Sequence, residues 1–362
     1  MMQDNEFDDR DPDGAEAVED ESFNLDTEQL RVFSAEDEDD VDLDLETAEA
    51  NPTKPDLAGV LADLARGERL YVGLHGFSDL TSTELELLKD RWFLIDAGLR
   101  ASVIREALDI SLENFQFAFT RLFVFATTDD EPDVRQLAVT ALGYEQTADA
   151  AERLLELVRN DPSDDVRTEA AKSLGPYVTL AEWEEFTPEL ASRLSQTLLG
   201  IAEDEDESWH IRRRAAESVS ACGPSVRINR LVQRLYDEDE IGLRASALYV
   251  AGRGNQRAWL AVAIEEFAND DAEIRREAAR SAGMFGDADA LPGLSEIART
   301  DEDTEVRHTA IVAIGEIGGA GAIRILSRLE ESALEHDAEV IDGALIEASL
   351  WSDPFSTGFS AN

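Results

Sequence analysis

An aliphatic residue followed at once by arginine, with alanine four positions after the aliphatic one, occurs six times in this 362-residue chain. The copies are Val134-Arg135 with Ala138, Val166-Arg167 with Ala170, Ile211-Arg212 with Ala215, Leu243-Arg244 with Ala247, Ile274-Arg275 with Ala278, and Val306-Arg307 with Ala310. Apolar residues at 0, +4, +5 and +8, such as Val306, Ala310, Ile311 and Ile314, form one stripe on a helix. Fixed spacing of a motif over 30 to 45 residues predicts a stack of supersecondary units, each covering its neighbour's stripe. The arginines are separated by 32, 45, 32, 31 and 32 residues. The long interval includes Thr179 to Pro188, with Trp183 and Phe186, and predicts either a protruding loop or a longer first helix.

The punctuation also reads as helical. Thr81 and Glu84 have capping-box spacing ahead of Leu85, Leu87, Leu88 and Trp92. Asp161-Pro162 reads as a cap before a first-turn proline, and Thr300 to Asp303 repeats the capping-box spacing. Nine residues after each aliphatic position stand Gly143, Gly175, Ser220, Gly252, Gly283 and Gly315, which read as left-handed C-terminal caps. The alanine at +4 keeps the helix surface low where the next helix crosses. Val103, Ala107 and Leu108 fit a weaker unit upstream without the arginine, and Val340, Ala344, Leu345 and Ala348 fit one downstream. Atypical end repeats are expected where a stack meets water. No run alternates apolar and polar residues with turn signals, so the fold class predicted is all-α, an α-solenoid of antiparallel helix pairs.

The stretch from about Asp129 to Gly318 resembles the HEAT repeat, in particular the short prokaryotic type found in phycobilin lyases. Val306-Arg307-His308-Thr309-Ala310-Ile311-Val312-Ala313-Ile314-Gly315-Glu316-Ile317-Gly318 carries the likeness best. The resemblance implies stacked helix pairs with the second helices on the concave side. It implies less about function, since adaptors, lyases and a hydroxylase share the fold.

Charge divides the chain. The net charge is −48, from 32 basic and 80 acidic residues, which argues against duplex DNA as a partner. Only Lys54, Lys89 and Lys172 are lysines, a balance compatible with a high-salt cytoplasm or with GC-rich coding. Residues 1–50 hold 21 acids against Arg10 and Arg31, a net of −19, and the predicted organisation is a disordered acidic tail over 1–55. The solenoid follows over 56–350, with six clear and two degenerate repeats. A flexible ending over 351–362 carries Trp351, Phe355 and Phe359. The chain starts without a basic and apolar leader, has no run of about 20 apolar residues and holds one cysteine, Cys222. A reducing, cytoplasmic setting without membrane contact is therefore expected.

Candidate chemistry is sparse. Arg135, Arg167, Arg212, Arg244, Arg275 and Arg307 read as a structural ladder, with carboxylates or carbonyls of adjoining turns as partners. No metal, cofactor or catalytic set is expected: the four histidines are followed by Gly76, Ile211, Thr309 and Asp337, unlike the His-Glu pairs of HEAT-like hydroxylases. Cys222 reads as a small buried hydrophobe. Arg212 to Arg280 holds 12 arginines and 11 acids. Within it Arg213, Arg214, Arg253, Arg257, Arg276 and Arg280 are the candidate partner-binding residues, for a protein or acidic peptide. The expected function is a non-enzymatic scaffold or adaptor, with a bilin lyase-like or chaperone-like protein and a phosphate- or RNA-binding module as alternatives. An intramolecular contact between residues 1–50 and the central arginines is a further expectation.

Overall fold

The computed structural model describes residues 54–68, 73–331 and 335–350. The acidic tail, apart from Lys54 and Pro55, and the aromatic ending thus lie outside the described residues. Helices α1 (Leu57–Ala65), α2 (Ser82–Arg91) and α3 (Ala97–Glu113) open the fold. The Thr81–Glu84 capping box that starts α2 is present in both directions. Seven helix pairs follow: α4 (Thr120–Ala126) with α5 (Pro132–Glu145), α6 (Ala148–Asn160) with α7 (Asp164–Ser173), then α9 (Pro188–Glu203) with α10 (Trp209–Val219). Next come α11 (Val226–Tyr236) with α12 (Ile241–Arg253), α13 (Leu260–Glu266) with α14 (Ala272–Phe285), α15 (Leu291–Thr300) with α16 (Thr304–Ile317), and α17 (Gly319–Glu330) with α18 (Glu335–Leu350). Strands are absent among the described residues.

The second helices pack in one unbroken row from α3 through α5, α7, α10, α12, α14 and α16 to α18, whereas first helices touch their successors sparsely. All six +4 alanines are fully buried in this inner row. The first helices supply larger groups to the core, such as Leu154, Leu155, Leu231, Leu235, Leu294 and Leu326.

The +9 glycines correct the capping expectation. Gly143, Gly252, Gly283 and Gly315 lie inside their helices, and a Cβ at Gly283 or Gly315 would stand 2.8 or 2.9 Å from the Cα of Ala313 or Ala344 on the next inner helix. Their role is close approach. The left-handed residue comes three positions later, at +12: Gln146, Gly223, Asn255, Gly286 and Gly318 have φ of 50°, 69°, 48°, 62° and 68°. Glycine or asparagine suits such a position in four of the five cases.

Two cap readings also move. Asp161 is the C-terminal cap of α6, and α7 starts after Ser163; Thr300 ends α15, and α16 is capped by Asp303, which accepts from Val306 N. In both turns the aspartate (Asp161, Asp301) folds the chain back, accepting from the amide two residues on at 2.9 and 3.0 Å. The turn is therefore longer than the cap reading allowed.

The 45-residue interval holds neither a protruding loop nor simply a longer first helix. After a break at Leu174 the chain forms an extra helix, α8 (Gly175–Glu182), that packs between α9 and α10. Tyr177 anchors it: the buried hydroxyl donates to Leu142 O and accepts from Gln146 N at 3.0 Å, and the ring stacks on Phe186.

Candidate partner-binding face

Each ladder arginine reaches from the start of an inner helix to an acid near the end of the next outer helix, or, for Arg307, to Asp337 in the first turn of α18. The partners are Arg135–Asp161, Arg167–Glu207, Arg212–Glu238, Arg244–Glu266, Arg275–Asp301 and Arg307–Asp337. Arg135 grips both Asp161 oxygens at 2.9 Å while its third nitrogen donates to Asp129 O and Asp130 O at 3.0 and 3.2 Å. Arg275 repeats this on Asp301, Asn269 O and Asp270 O. Burial alone would raise the Asp301 carboxyl, but the bonds from Arg275 and the Asp303 amide bring it below the ordinary aspartate range. Arg244 is the weak rung, 3.6 Å from Glu266, with its guanidinium over the Tyr236 ring at 5.6 Å.

At Arg212 the acid is one methylene longer, Glu238 in place of aspartate, and the guanidinium keeps one ion pair at 2.7 Å while its Nε is buried without a partner. A cavity of about 380 Å³ opens there between α9, α10 and α11, lined by Glu203, Arg212, Leu231, Arg234 and Leu235 among others. The ladder also has a rung that sequence reading missed. Arg100 on α3, three residues before Val103 rather than one after it, is buried against Asp129 at 3.2 Å and Asp130 at 2.8 Å.

The central arginines are not the open patch expected. Arg213 is only 8% exposed, ion-paired to Glu217 at 3.0 Å and to Glu273 at 2.8 Å. Arg214 pairs with Glu217 at 3.0 Å, and Arg276 and Arg280 lie 3.5 and 3.2 Å from Glu277. Glu217 sits four residues after Arg213 and three after Arg214, and Glu277 three before Arg280, where helical spacing delivers them to the same face; Arg276 is the immediate neighbour of Glu277 in the chain. Four arginines thus pair with acids of their own chain, and the expected contact with residues 1–50 lies outside the described residues. Arg253 and Arg257 are exposed; Arg257 stands beyond the end of α12, 3.5 Å from Asp287, and so off the inner row.

Burial shapes the acids of this face. It pushes Glu277 up, opposed by Arg280 and Arg276. At Glu217 burial is outweighed by Arg214, Arg213 and the Ser246 hydroxyl, so that carboxyl is lowered. Glu316, on α16 over Gly283, is pushed up to about 7 by desolvation, with Arg280 opposing and Glu347 adding. Among the exposed groups on the inner row are large apolar or aromatic ones, Tyr144 on α5, Val312 on α16, and Ile346 and Leu350 on α18, beside polar ones such as Arg253, Glu316 and Glu347.

Cys222 ends the short 3₁₀ turn after α10, half-buried against Glu182, and burial foremost pushes its thiol up to about 12. Such a thiol is a poor nucleophile. Among the described residues no group of three or more His, Cys, Asp or Glu side chains could hold a metal, and no helix is long and apolar enough to cross a membrane.

The HEAT-repeat family model matches residues 119–197 and 260–348. The chain is therefore a HEAT-repeat protein with an α-solenoid fold. The bilin biosynthesis protein PecE of Nostoc sp. is 30% identical over 92 residues, a stretch covering 24% of this chain and 36% of that protein. The chain thus matches about a third of that relative's length. Among solved structures, the complex of CpcE and CpcF of phycocyanin lyase from Nostoc sp. gives a TM-score of 0.43 at 14% identity, covering 63% of this chain and 94% of that one. Human deoxyhypusine hydroxylase gives 0.32 at 17% identity, covering 81% and 97%. The expectation of a non-enzymatic protein is corrected by PecE: a relative alike over part of this chain is named for bilin biosynthesis, so the likeness does not separate scaffold from enzyme.

Proposed function

We propose that this HEAT-repeat chain holds a protein partner along its inner helix row. The observation that carries the reading is the pairing of a continuous eight-helix face with solvent-facing apolar groups on it: Tyr144 is 56% exposed, Val312 46% and Ile346 67%. Large apolar side chains open to water on one continuous face are what a protein interface uses as anchors. A photocrosslinking residue at Val312 or Tyr144, against one at the exposed outer-row Val226, tests this in native extract. Inner positions should capture one common protein that the Val226 position does not. Equal capture from both rows would remove the inner row from consideration.

A second reading is favoured by the likeness to PecE: the chain takes part in bilin biosynthesis and binds the pigment. Adding a free bilin to the purified protein should then shift and sharpen the pigment's visible absorbance. An unchanged spectrum, with and without the captured partner, would leave the adaptor role.

A further inference from the structure

Arg213 does more than neutralise an acid on its own helix. It lies on α10, yet its Nη1 meets Glu273 of α14 at 2.8 Å, while α12 lies between these helices and packs against both. The contact passes over Gly242 of α12, where an added Cβ would come within 3.2 Å of the same Nη1 and 2.6 Å of the Trp209 ring. Two helix steps of roughly 8–10 Å would separate α10 and α14 by about 16–20 Å in a straight row. In a straight row an arginine and a glutamate would close that span only at near-full extension, and α12 stands in the direct path, so the contact is made more readily where the row bends towards them. Glu217 holds the other edge of the guanidinium at 3.0 Å and takes the Ser246 hydroxyl of α12, so all three helices join one polar knot.

We propose that the Arg213–Glu217–Glu273 knot is a curvature latch: it fixes the bend of the inner row at α10, α12 and α14 and thereby the width of the face on either side. Ladder rungs join neighbouring repeats and can follow a hinge. An ion pair that skips one repeat resists it, because opening the row stretches this contact first. The side chains are 10% and 27% exposed, enough shelter for the pair to persist at ordinary ionic strength.

Spin labels at Tyr144→Cys on α5 and Val312→Cys on α16, in a Cys222→Ser background, report the arc across the latch. Their distance distribution should lengthen and broaden in Glu273→Gln and in Arg213→Gln, and return towards the starting one when Arg213→Glu is combined with Glu273→Arg. Arg299→Gln, which breaks an exposed pair with Glu296 on the outer row, should leave it unchanged. Circular dichroism confirms that each variant is folded. Glu273→Gln keeps shape and polarity, so it decides the matter even if Arg213→Gln fails to fold. An unaltered distribution in folded Glu273→Gln would overturn the latch.

Discussion

Replacing Arg135 by Met removes the most completely satisfied rung while keeping most of the side chain's bulk. The Asp161 carboxylate, with its side chain only 3% exposed, would lose both guanidinium bonds and keep the Ser163 amide. The carbonyls of Asp129 and Asp130 would lose a donor too; Asp130 is exposed and water can replace it there, whereas Asp129 is buried and adds to the loss from the carboxylate. Breaking a buried ion pair from one side costs about 3–5 kcal/mol. The surviving amide bond argues for the lower end, about 3 kcal/mol. Repeat stacks need not unfold in one step, so urea denaturation followed by circular dichroism is best paired with amide exchange read separately in α5 to α7. Exchange should quicken at the α5–α7 junction and fade with distance from it. Adding Asp161→Asn should recover part of the loss, since the stranded charge is then gone. A loss below about 0.5 kcal/mol, the range of an ordinary surface change, would show that the ladder is ornamental.

Arg244→Ala should cost no more than about 1 kcal/mol in the same denaturation, because its ion pair is long and its side chain 31% exposed. Gly315→Ala should destabilise by about 1–3 kcal/mol through overpacking against Ala344, whereas Gly200→Ala on α9, with nothing within 4 Å, should stabilise by up to about 1 kcal/mol. Desolvation holds the Glu316 carboxyl above the ordinary glutamate range, up to about 7, so its charge weakens the fold progressively as pH rises from about 4.5 to 7, although its exposure keeps the slope shallow. Glu316→Gln should flatten that slope and raise stability at pH 8 by no more than about 1 kcal/mol, because water screens a largely exposed carboxylate; an unchanged profile would contradict the desolvation argument. Cys222, with its thiol near 12, should alkylate slowly with iodoacetamide at pH 8, and fast labelling would show an environment other than the one described.

The register of the stack was legible because burial repeats: Val134, Val166, Ile211, Leu243, Ile274 and Val306 do the same work at each step and must be alike. Two kinds of glycine were less separable. One at +9 admits a neighbour and one at +12 turns the chain, and in one dimension both merely mark the end of a helix. The distinguishing signal was present, since Gln146, Asn255, Gly286 and Gly318 recur three residues later. Arg100 escaped notice because its rung starts from another turn of α3 and still ends on the same Asp129-Asp130 pair. A count of charges omits how the central arginines are paired: Glu217 and Glu277 are few, but between them they meet four guanidiniums. No sequence signal revealed the Arg213–Glu273 contact, which depends on how far the row bends.

The unequal thickness of the two rows has a consequence of its own. Inner helices meet through glycine and alanine, while outer helices bring leucine and isoleucine to the same joint. Each repeat is therefore a wedge, like a voussoir in a masonry arch, and away from the Arg213–Glu273 contact the radius follows from side-chain volume. Methyl groups added one at a time along the inner edge would be expected to flatten the arch by degrees while leaving its hydrogen bonds intact. A lineage could thus refit the same stack to a broader or narrower guest by exchanging a few of the smallest residues it contains.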